Sequence, residues 1–435
     1  MKILIICDMF PPAFGPRMGY LCKYMKQADW EPVVLSEYIN DDTFVFLAQK
    51  TDTTVVHYYT ARGKWARKIE WMSVFIRDFF SHYKDKRMAR EAFALLEKGG
   101  FEGIFCSTYR TFPLPAALMA ARKFSLPLIA DLRDIVEEYA TDEYISHSFH
   151  TFKWLDKKIT DIFRRRLISD RNSVLTEADY VTTVSPWHVE TMKKYNPQTE
   201  LIYNGYDPEL FFPEKYHTDQ FIITYTGRLL SLAIRDPKLL FEAMERLDKE
   251  GFITPETFRL QWYVDEDSEK MIKEACGSYS IASYMDFRGY VPASEVPEIL
   301  NRSSVLLQLA NKTTESGPKG FMTTKLFEAM AVEKPLLCVR SDEDCMERTI
   351  QQTHTGVAAR TADMAYNFLC YHYTQWKKEG YTSVCVNREA IEQFSRKKQA
   401  EQFMTLFNKI RKRRHASYDG SAVGCRDHGQ SEVCL

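Results

Sequence analysis

The chain lacks any pattern that would tie its cysteines into a framework. Cys7, Cys22, Cys106, Cys276, Cys338, Cys345, Cys370, Cys385, Cys425 and Cys434 include no C-x-x-C pair and no recurring spacing, which excludes a zinc ribbon or a disulfide scaffold. Several sit inside apolar runs, as Cys7 does in 3–7, where a free cysteine behaves as a small buried hydrophobe of a reducing compartment. A cytoplasmic location is therefore expected. Nowhere do about 18 apolar residues follow one another, and the apolar stretch after Met1 is too short for a signal peptide, so neither a membrane span nor an export signal is expected. Charge of one sign is missing too: the formal net charge is -1. That argues against a surface built for nucleic-acid phosphates, and no nucleic-acid partner is expected. Any anion site must be local. G-x-G-x-x-G is also absent, which weakens the case for a dinucleotide dehydrogenase.

What the chain does have is core material: 45% hydrophobic and 27% charged residues over 435 positions, enough for two domains. Short aliphatic runs at 3–7, 32–35, 104–106, 128–130, 180–184 and 201–203 are continuous rather than alternating, the mark of parallel strands buried on both faces. Helical stretches between them, such as 87–96 and 114–124, supply the crossovers. The pattern restarts after Phe211-Phe212-Pro213 with strands at 221–225, 259–264, 285–287, 305–309 and 336–339, separated by helices at 236–250, 293–301 and 324–332. The prediction is α/β: two doubly wound Rossmann-like domains, 1–213 and 214–387, facing a central cleft. A last helix at 388–412 is expected to cross back to the first domain, and 413–435, without apolar period, is expected to be disordered.

Chemistry should gather where strands end, because ligands of open α/β sheets bind outside their carboxyl ends. The first strand runs into a loop at 10–19 that carries Arg17, and its Gly15 lets the backbone approach a phosphate at the N-terminus of the helix that follows at 20–27. An ordinary proline-stiffened turn is the alternative. Strand 128–130 leads into Asp131-Leu132-Arg133-Asp134. Buried charges must either pair with one another or face a ligand, and the ligand reading is carried forward. In the second domain, Thr226-Gly227-Arg228 and then Arg235 stand at a strand-to-helix junction, two guanidiniums suited to a pyrophosphate. The richest segment is a glycine loop entering a helix, Gly317-Pro318-Lys319-Gly320-Phe321-Met322-Thr323-Thr324-Lys325-Leu326-Phe327-Glu328. Lys325 and Glu328, three apart, share a helix face, and the bland alternative is a salt bridge between them.

The order and spacing of these pieces resemble the retaining GT-B glycosyltransferases of family four, from Met1 to about Lys412. The resemblance rests on the 10–19 loop, Asp131-Leu132-Arg133-Asp134, Val184-Ser185, Asn204-Gly205-Tyr206-Asp207, Tyr225-Thr226-Gly227-Arg228, Arg288-Gly289-Tyr290-Val291 and Lys325-Leu326-Phe327-Glu328-Ala329-Met330-Ala331 before Lys334-Pro335. It implies transfer, with retention, of a sugar from a nucleotide diphosphate to a glycan or lipid-linked acceptor, in surface polysaccharide or glycoconjugate synthesis. By resemblance, Glu328 takes the donor ribose. Arg228 and Arg235 take the pyrophosphate, with Lys325 as a further catalytic cation. Gly15, Gly227, Gly320, Phe321, Met322, Thr323 and Thr324 line the donor, and Arg17, Asp131, Arg133 and Asp134 stand on the acceptor side. Two departures stand out: Gly320 occupies the place of the family's first glutamate, and Ala233 the place of a basic residue, for which Arg235 substitutes. The acceptor-side histidine of the family is read as replaced within 131–134.

No metal and no other cofactor is expected, since Arg228, Arg235 and Lys325 can balance a diphosphate and the acidic runs Asp41-Asp42 and Asp342-Glu343-Asp344 read as solvated loops. A sugar-nucleotide epimerase or phosphorylase of the same fold, or a catalytically silent nucleotide-sugar-binding protein, are the alternatives. An anionic membrane is a further expected partner, because 64–83 (Trp65, Ile69, Met72, Ile76, Phe79, Tyr83 with Lys64, Arg67, Lys68) and 152–166 (Trp154, Lys157, Lys158, Arg164-Arg165-Arg166) combine aromatic and basic residues at helical spacing. The alternative is core-packing helices with solvated charged faces.

Overall fold

A strand that is apolar on both faces needs a layer on each side, and a parallel sheet covered by helices provides it. In the computed structural model, which describes residues 1–48, 51–138, 153–233, 235–311, 319–340 and 344–423, every pairing between strands is parallel. The first half runs β1 (Lys2–Cys7), α1 (Pro16–Gln27), β2 (Glu31–Glu37), β3 (Asp52–Val56), α2 (Lys64–Ser81), α3 (Tyr83–Leu96), β4 (Phe101–Thr108), α4 (Leu114–Phe124), β5 (Leu128–Leu132), α5 (Lys153–Leu175), β6 (Tyr180–Thr183), α6 (Pro186–Met192) and β7 (Thr199–Leu201). The second runs β8 (Phe221–Thr226), α7 (Lys238–Lys249), β9 (Phe258–Tyr263), α8 (Glu266–Cys276), β10 (Met285–Phe287), α9 (Val296–Asn301), β11 (Val305–Leu309), α10 (Thr324–Ala331), β12 (Leu336–Val339), α11 (Cys345–Thr353), β13 (Gly356–Ala359) and α12 (Ala362–Glu379). Two more helices, α13 (Arg388–Glu392) and α14 (Arg396–Val423), close the chain.

The first sheet has the order β3-β2-β1-β4-β5-β6-β7 and the second β10-β9-β8-β11-β12-β13. Both are doubly wound Rossmann-like sheets whose order reverses beside their first strand, at β1/β4 and at β8/β11. The crevices that take ligands in such sheets open at those points. Each sheet carries one apolar cluster per face. Phe221, Ile223 and Trp262 belong to one face of the second sheet, and Leu326, Phe327 and Met330 to the other.

The last helix of the chain returns to the first domain. Ala400, Phe403, Phe407 and Ile410 recur at three- and four-residue spacing, all at most 2% exposed, and join Ile3, Ile5 and Met18 in one cluster. Two sequence expectations need correction here. The segment 388–412 is not one helix: the chain breaks between α13 and α14, where Phe394 accepts a hydrogen bond from the Tyr206 amide and Tyr206 accepts one from the Arg396 amide. The segment 413–435 is not wholly disordered, because α14 runs on to Val423. Residues 424–435 lie outside the described ones.

The edge strands β3 and β13 were not foreseen. β3 is half exposed, and β13 is Gly-Val-Ala-Ala, so neither offers the long β-branched run that marks a central strand. Among the described residues no helix is long and apolar enough to cross a membrane.

Candidate active site

The two crevices face one cleft of about 230 Å³. Phe14, Pro16 and Tyr20 reach it from the end of β1 and the start of α1, and Thr226, Gly227 and Tyr263 from the ends of β8 and β9. Thr324, Lys325 and Glu328 come from the first turns of α10, and Arg396 from the first residue of α14.

Gly227 ends β8 with φ +109°, and a Cβ built there would overlap the Lys325 ammonium. Only glycine fits, and its bareness lets Lys325 lie across the strand end, 5.6 Å from the centre of the Tyr225 ring. Burial holds the Lys325 pKa down at about 8, with Arg235 the next cause. Glu328, one turn on, is pushed up to about 7 by burial, against the lowering influence of Arg396 and then Lys325. The salt bridge between Lys325 and Glu328 does not form: neither has an ion-pair partner within 4.0 Å among the described residues. Both face the cleft instead.

Arg235 donates from Nε to Asn311 Oδ1 at 2.9 Å and from Nη1 to the Arg228 carbonyl at 2.7 Å. Arg228 pairs with Asp265 at 3.1 Å, its side chain 72% exposed. The guanidiniums therefore border Lys325 and raise the positive potential against which it must keep its proton. Thr323, at the N-cap of α10, has a buried hydroxyl with no hydrogen-bond partner among the described residues. A buried orphan at a helix N-terminus suits an oxygen-bearing anion.

Gly320 lies elsewhere. At φ +75°, its ideal Cβ would stand 2.8 Å from Pro186 Cδ of α6 and 3.1 Å from Cys345 Sγ, so position 320 is closed against the first domain. Phe321 packs edge-on against His188, ring centres 5.2 Å apart. Met322 is buried and accepts a hydrogen bond from Thr349 Oγ1 at 3.2 Å. Gly317 and Pro318 lie outside the described residues, as do Asp342 and Glu343. Gly15 precedes α1 as its N-cap, with Phe14 and Pro16 on the cleft wall.

On the acceptor side the expectation fails for Arg17 and Asp131. Arg17 and Asp131 pair with each other in the interior. Arg17 Nε and Nη2 donate to the two Asp131 oxygens at 3.1 and 3.0 Å, Nη2 also to the Ile202 carbonyl at 2.9 Å, and Nη1 to the Tyr203 carbonyl at 2.9 Å and Asn204 Oδ1 at 3.3 Å. That uses all five donors of a guanidinium. Asp131 further accepts from Ser107 and Thr182, each at 2.8 Å. Arg133 is buried, pairs with Asp8 and stacks 3.5 Å from the centre of the Tyr109 ring. Asp8 takes only Nη2 of Arg133, whose Nε and Nη1 are buried with no hydrogen-bond partner among the described residues. Asp134 alone makes no hydrogen bond or ion pair among the described residues; burial, then Glu138, holds its pKa up at about 6.

Sequence reasoning missed the residues around it. His188, wholly buried in α6, pairs with Glu138 and meets Thr183 Oγ1 at 2.9 Å. Its signal was a histidine three places after Ser185, whose side chain caps α6. Also missed was Asp265-Glu266-Asp267, an Asp-x-Asp at the end of β9. Asp265 accepts from the Ser268 amide at 2.9 Å and pairs with Arg228, while Asp267 is exposed. Arg396, 68 residues beyond Glu328 with no readable pattern between them, was not foreseen as part of the cleft.

Two Rossmann-like domains around a cleft that carries a cationic strand end and a helix N-terminus define a class, and the comparisons agree with it. Residues 220–369 match the family model described as Glycosyl transferases group 1. No curated protein matches the chain in sequence. Among solved structures, the chain is similar to HepE of Anabaena in complex with UDP and glucose, at 13% identity and TM-score 0.60 over 94% of this chain and 100% of that one. Sucrose-phosphate synthase of Thermosynechococcus elongatus follows at 14% and 0.55, over 94% and 99%. A Listeria monocytogenes protein described as a UDP-N-acetylglucosamine 2-epimerase stands at 11% and 0.52, over 95% and 97%. The fold is GT-B.

The pairing of Arg17 with Asp131 makes a direct prediction. Asp131→Ala leaves a buried guanidinium without its counter-charge, so it should cost about 3–5 kcal/mol of stability, read as a lowered urea midpoint. An unchanged midpoint would show that the pair does not hold the fold.

Proposed function

We propose that the protein transfers a sugar, with retention, from a nucleotide diphosphate sugar to a glycan or lipid-linked acceptor, in polysaccharide or glycoconjugate synthesis. The observation that carries this reading is the meeting of Lys325, Arg228 and Arg235 with the start of α10 at the mouth of β8, with Glu328 one turn deeper. The family match over 220–369 supports it, and so does the likeness to a HepE structure that holds UDP and glucose. In this reading the diphosphate lies by the cations and the Thr323 hydroxyl, and the ribose diol donates to Glu328. The barrier falls as fixed positive charge meets the negative charge that develops on the leaving phosphate. Arg235 helps mainly by raising the potential around Lys325, and Asp134 is the acceptor-side carboxylate left unengaged. An epimerase or a silent binding protein would share the fold. Sugar transfer to an acceptor, as against free nucleotide release or binding alone, separates them.

Charge-assisted hydrogen bonds contribute roughly 1.5–3 kcal/mol each. Glu328→Ala should therefore weaken donor affinity by about one to two orders of magnitude in calorimetry, with the fold intact. Arg228→Ala should lower turnover about a hundredfold, because the stabilisation it removes grows in the transition state. Wild-type donor affinity in the first variant, or wild-type turnover in the second, would refute the donor site.

Donor affinity should also be bell-shaped in pH. Glu328, at about 7, loses its charge as pH falls below that value; Lys325, at about 8, loses its own as pH rises past it. Acceptor and cation are thus both in the binding form between the two, and kcat/KM for the donor, which reports the free enzyme, should peak there. A profile flat from pH 6 to 9 by this measure, roughly one unit beyond either limb, argues against both roles.

We further propose that transfer needs no divalent cation. Activity should survive EDTA; its loss, with recovery on adding magnesium or manganese, would turn attention to Asp265 and Asp267.

A further inference from the structure

Helix α2 is 18 residues long and buries one of them, Val74. Trp65, Ile69, Met72, Ile76 and Phe80 form a stripe along it, exposed by 76, 69, 37, 48 and 79%. Val74 is two residues from both Met72 and Ile76, so the stripe points away from the protein. This is not the face of a core-packing helix. The stripe also differs from the one expected from sequence: Phe79 turns inward against Phe163 of α5, ring centres 4.7 Å apart, and Tyr83 belongs to α3. Helix α5 packs beside α2 through Phe75 and Phe163 at 4.9 Å, and Arg166 donates to the Asp78 carbonyl at 2.9 Å. It carries Trp154, 66% exposed, near its start; residue 152 lies outside the described ones. Between the helices is a groove lined only by apolar side chains.

Lys64, Arg67 and Lys68 on α2 and Lys157, Lys158 and Arg165 on α5 are exposed, and none of the six has an ion-pair partner among the described residues. The acids nearby are fewer: Asp161 is exposed, but Glu70 is spent on the amides of Thr60 and Ala61. In a chain of net charge -1, this concentrates cations beside a projecting apolar stripe. A second copy of the chain would bring the same six cations against these, which disfavours self-association. Anionic headgroups above an acyl layer meet both features at once.

We infer that the paired helices α2 and α5 dock the protein on an anionic lipid surface, the apolar stripe entering the headgroup boundary and the flanking lysines and arginines lying against the lipid charges. This is independent of the reaction proposed above.

Flotation of the full chain with phosphatidylcholine vesicles, with and without phosphatidylglycerol, tests it. The wild type should float with the anionic vesicles at low salt, stay behind with phosphatidylcholine alone and be released as salt rises. Trp65→Glu with Phe80→Glu should abolish flotation. Lys64→Ala with Lys68→Ala should lower the partition coefficient about thirtyfold, from about 1 kcal/mol per basic residue. All four side chains are exposed, so unchanged melting of each variant is the expected control. Failure to float at low salt, equal flotation on phosphatidylcholine alone, or wild-type flotation by either variant overturns the inference. So does self-association in sedimentation that Trp65→Glu removes, which would assign the face to a second copy.

Discussion

Arg17 and Asp131 form the pair around which the cleft is organised. Asp131 sits in the middle strands of the first sheet, tied to β4 and β6 through Ser107 and Thr182. Arg17 carries that anchor from α1 to the carbonyls of Ile202 and Tyr203, where the chain leaves the first domain. There the returning chain docks: Gln399 Nε2 donates to the Tyr203 carbonyl at 2.6 Å, and the Arg396 amide to the Tyr206 carbonyl at 2.7 Å. A buried ion pair adds little net stability over an apolar core, but it fixes geometry because no other arrangement satisfies its charges. Here it fixes where α14 begins, and so where Arg396 enters the cleft.

The consequence is electrostatic. Burial in the first place, then the nearby Arg17, pulls the Arg396 pKa down to about 10, yet at neutral pH Arg396 remains a cation and bears on Glu328. The returning chain thus works against the burial that raises the pKa of a second-domain carboxylate. On the far side of Glu328, Lys325 keeps its proton against burial and Arg235. The cleft carries more positive than negative charge, and the excess lies where β8 ends. An anion placed there would relieve the repulsion among Lys325, Arg235 and Arg228, which is preorganisation in the sense that no dipole needs to turn when the ligand arrives.

Much of this was legible in the sequence because it is local. Continuous apolar runs marked the central strands, and Thr226-Gly227-Arg228 and Lys325 to Glu328 were readable as strand-end chemistry from spacing alone. What escaped reading depends on pairings between distant residues. The charges of Asp131-Leu132-Arg133-Asp134 look alike in sequence; that Asp131 is consumed by Arg17, 114 residues away, while Arg133 meets Asp8, 125 residues away, through one nitrogen, is decided by the sheet order. Likewise, the break before α14 has no proline or glycine to announce it, since it comes from the contacts of Phe394 and Arg396 with Tyr206. His188 stayed hidden because one histidine on a short helix is usually a satisfied core residue, and only its approach to Phe321 of the other domain gives it weight.

That approach bears on Gly320. The glycine loop before α10 is held against the first domain at two points, Gly320 on Pro186 and Phe321 on His188. A carboxylate at 320 would need both a left-handed backbone and space that Pro186 and Cys345 fill, so the closed interface admits only glycine there. His188 in turn pairs with Glu138, and the adjacent Glu137 receives Arg171 of α5 at 2.6 and 2.7 Å. Close-packed contacts of this kind shift together rather than deform independently. The position of the loop beside the cleft is therefore mechanically tied to α5, the helix whose other end carries Trp154, so that whatever α5 rests on also constrains the floor on which Thr323, Thr324 and Lys325 stand.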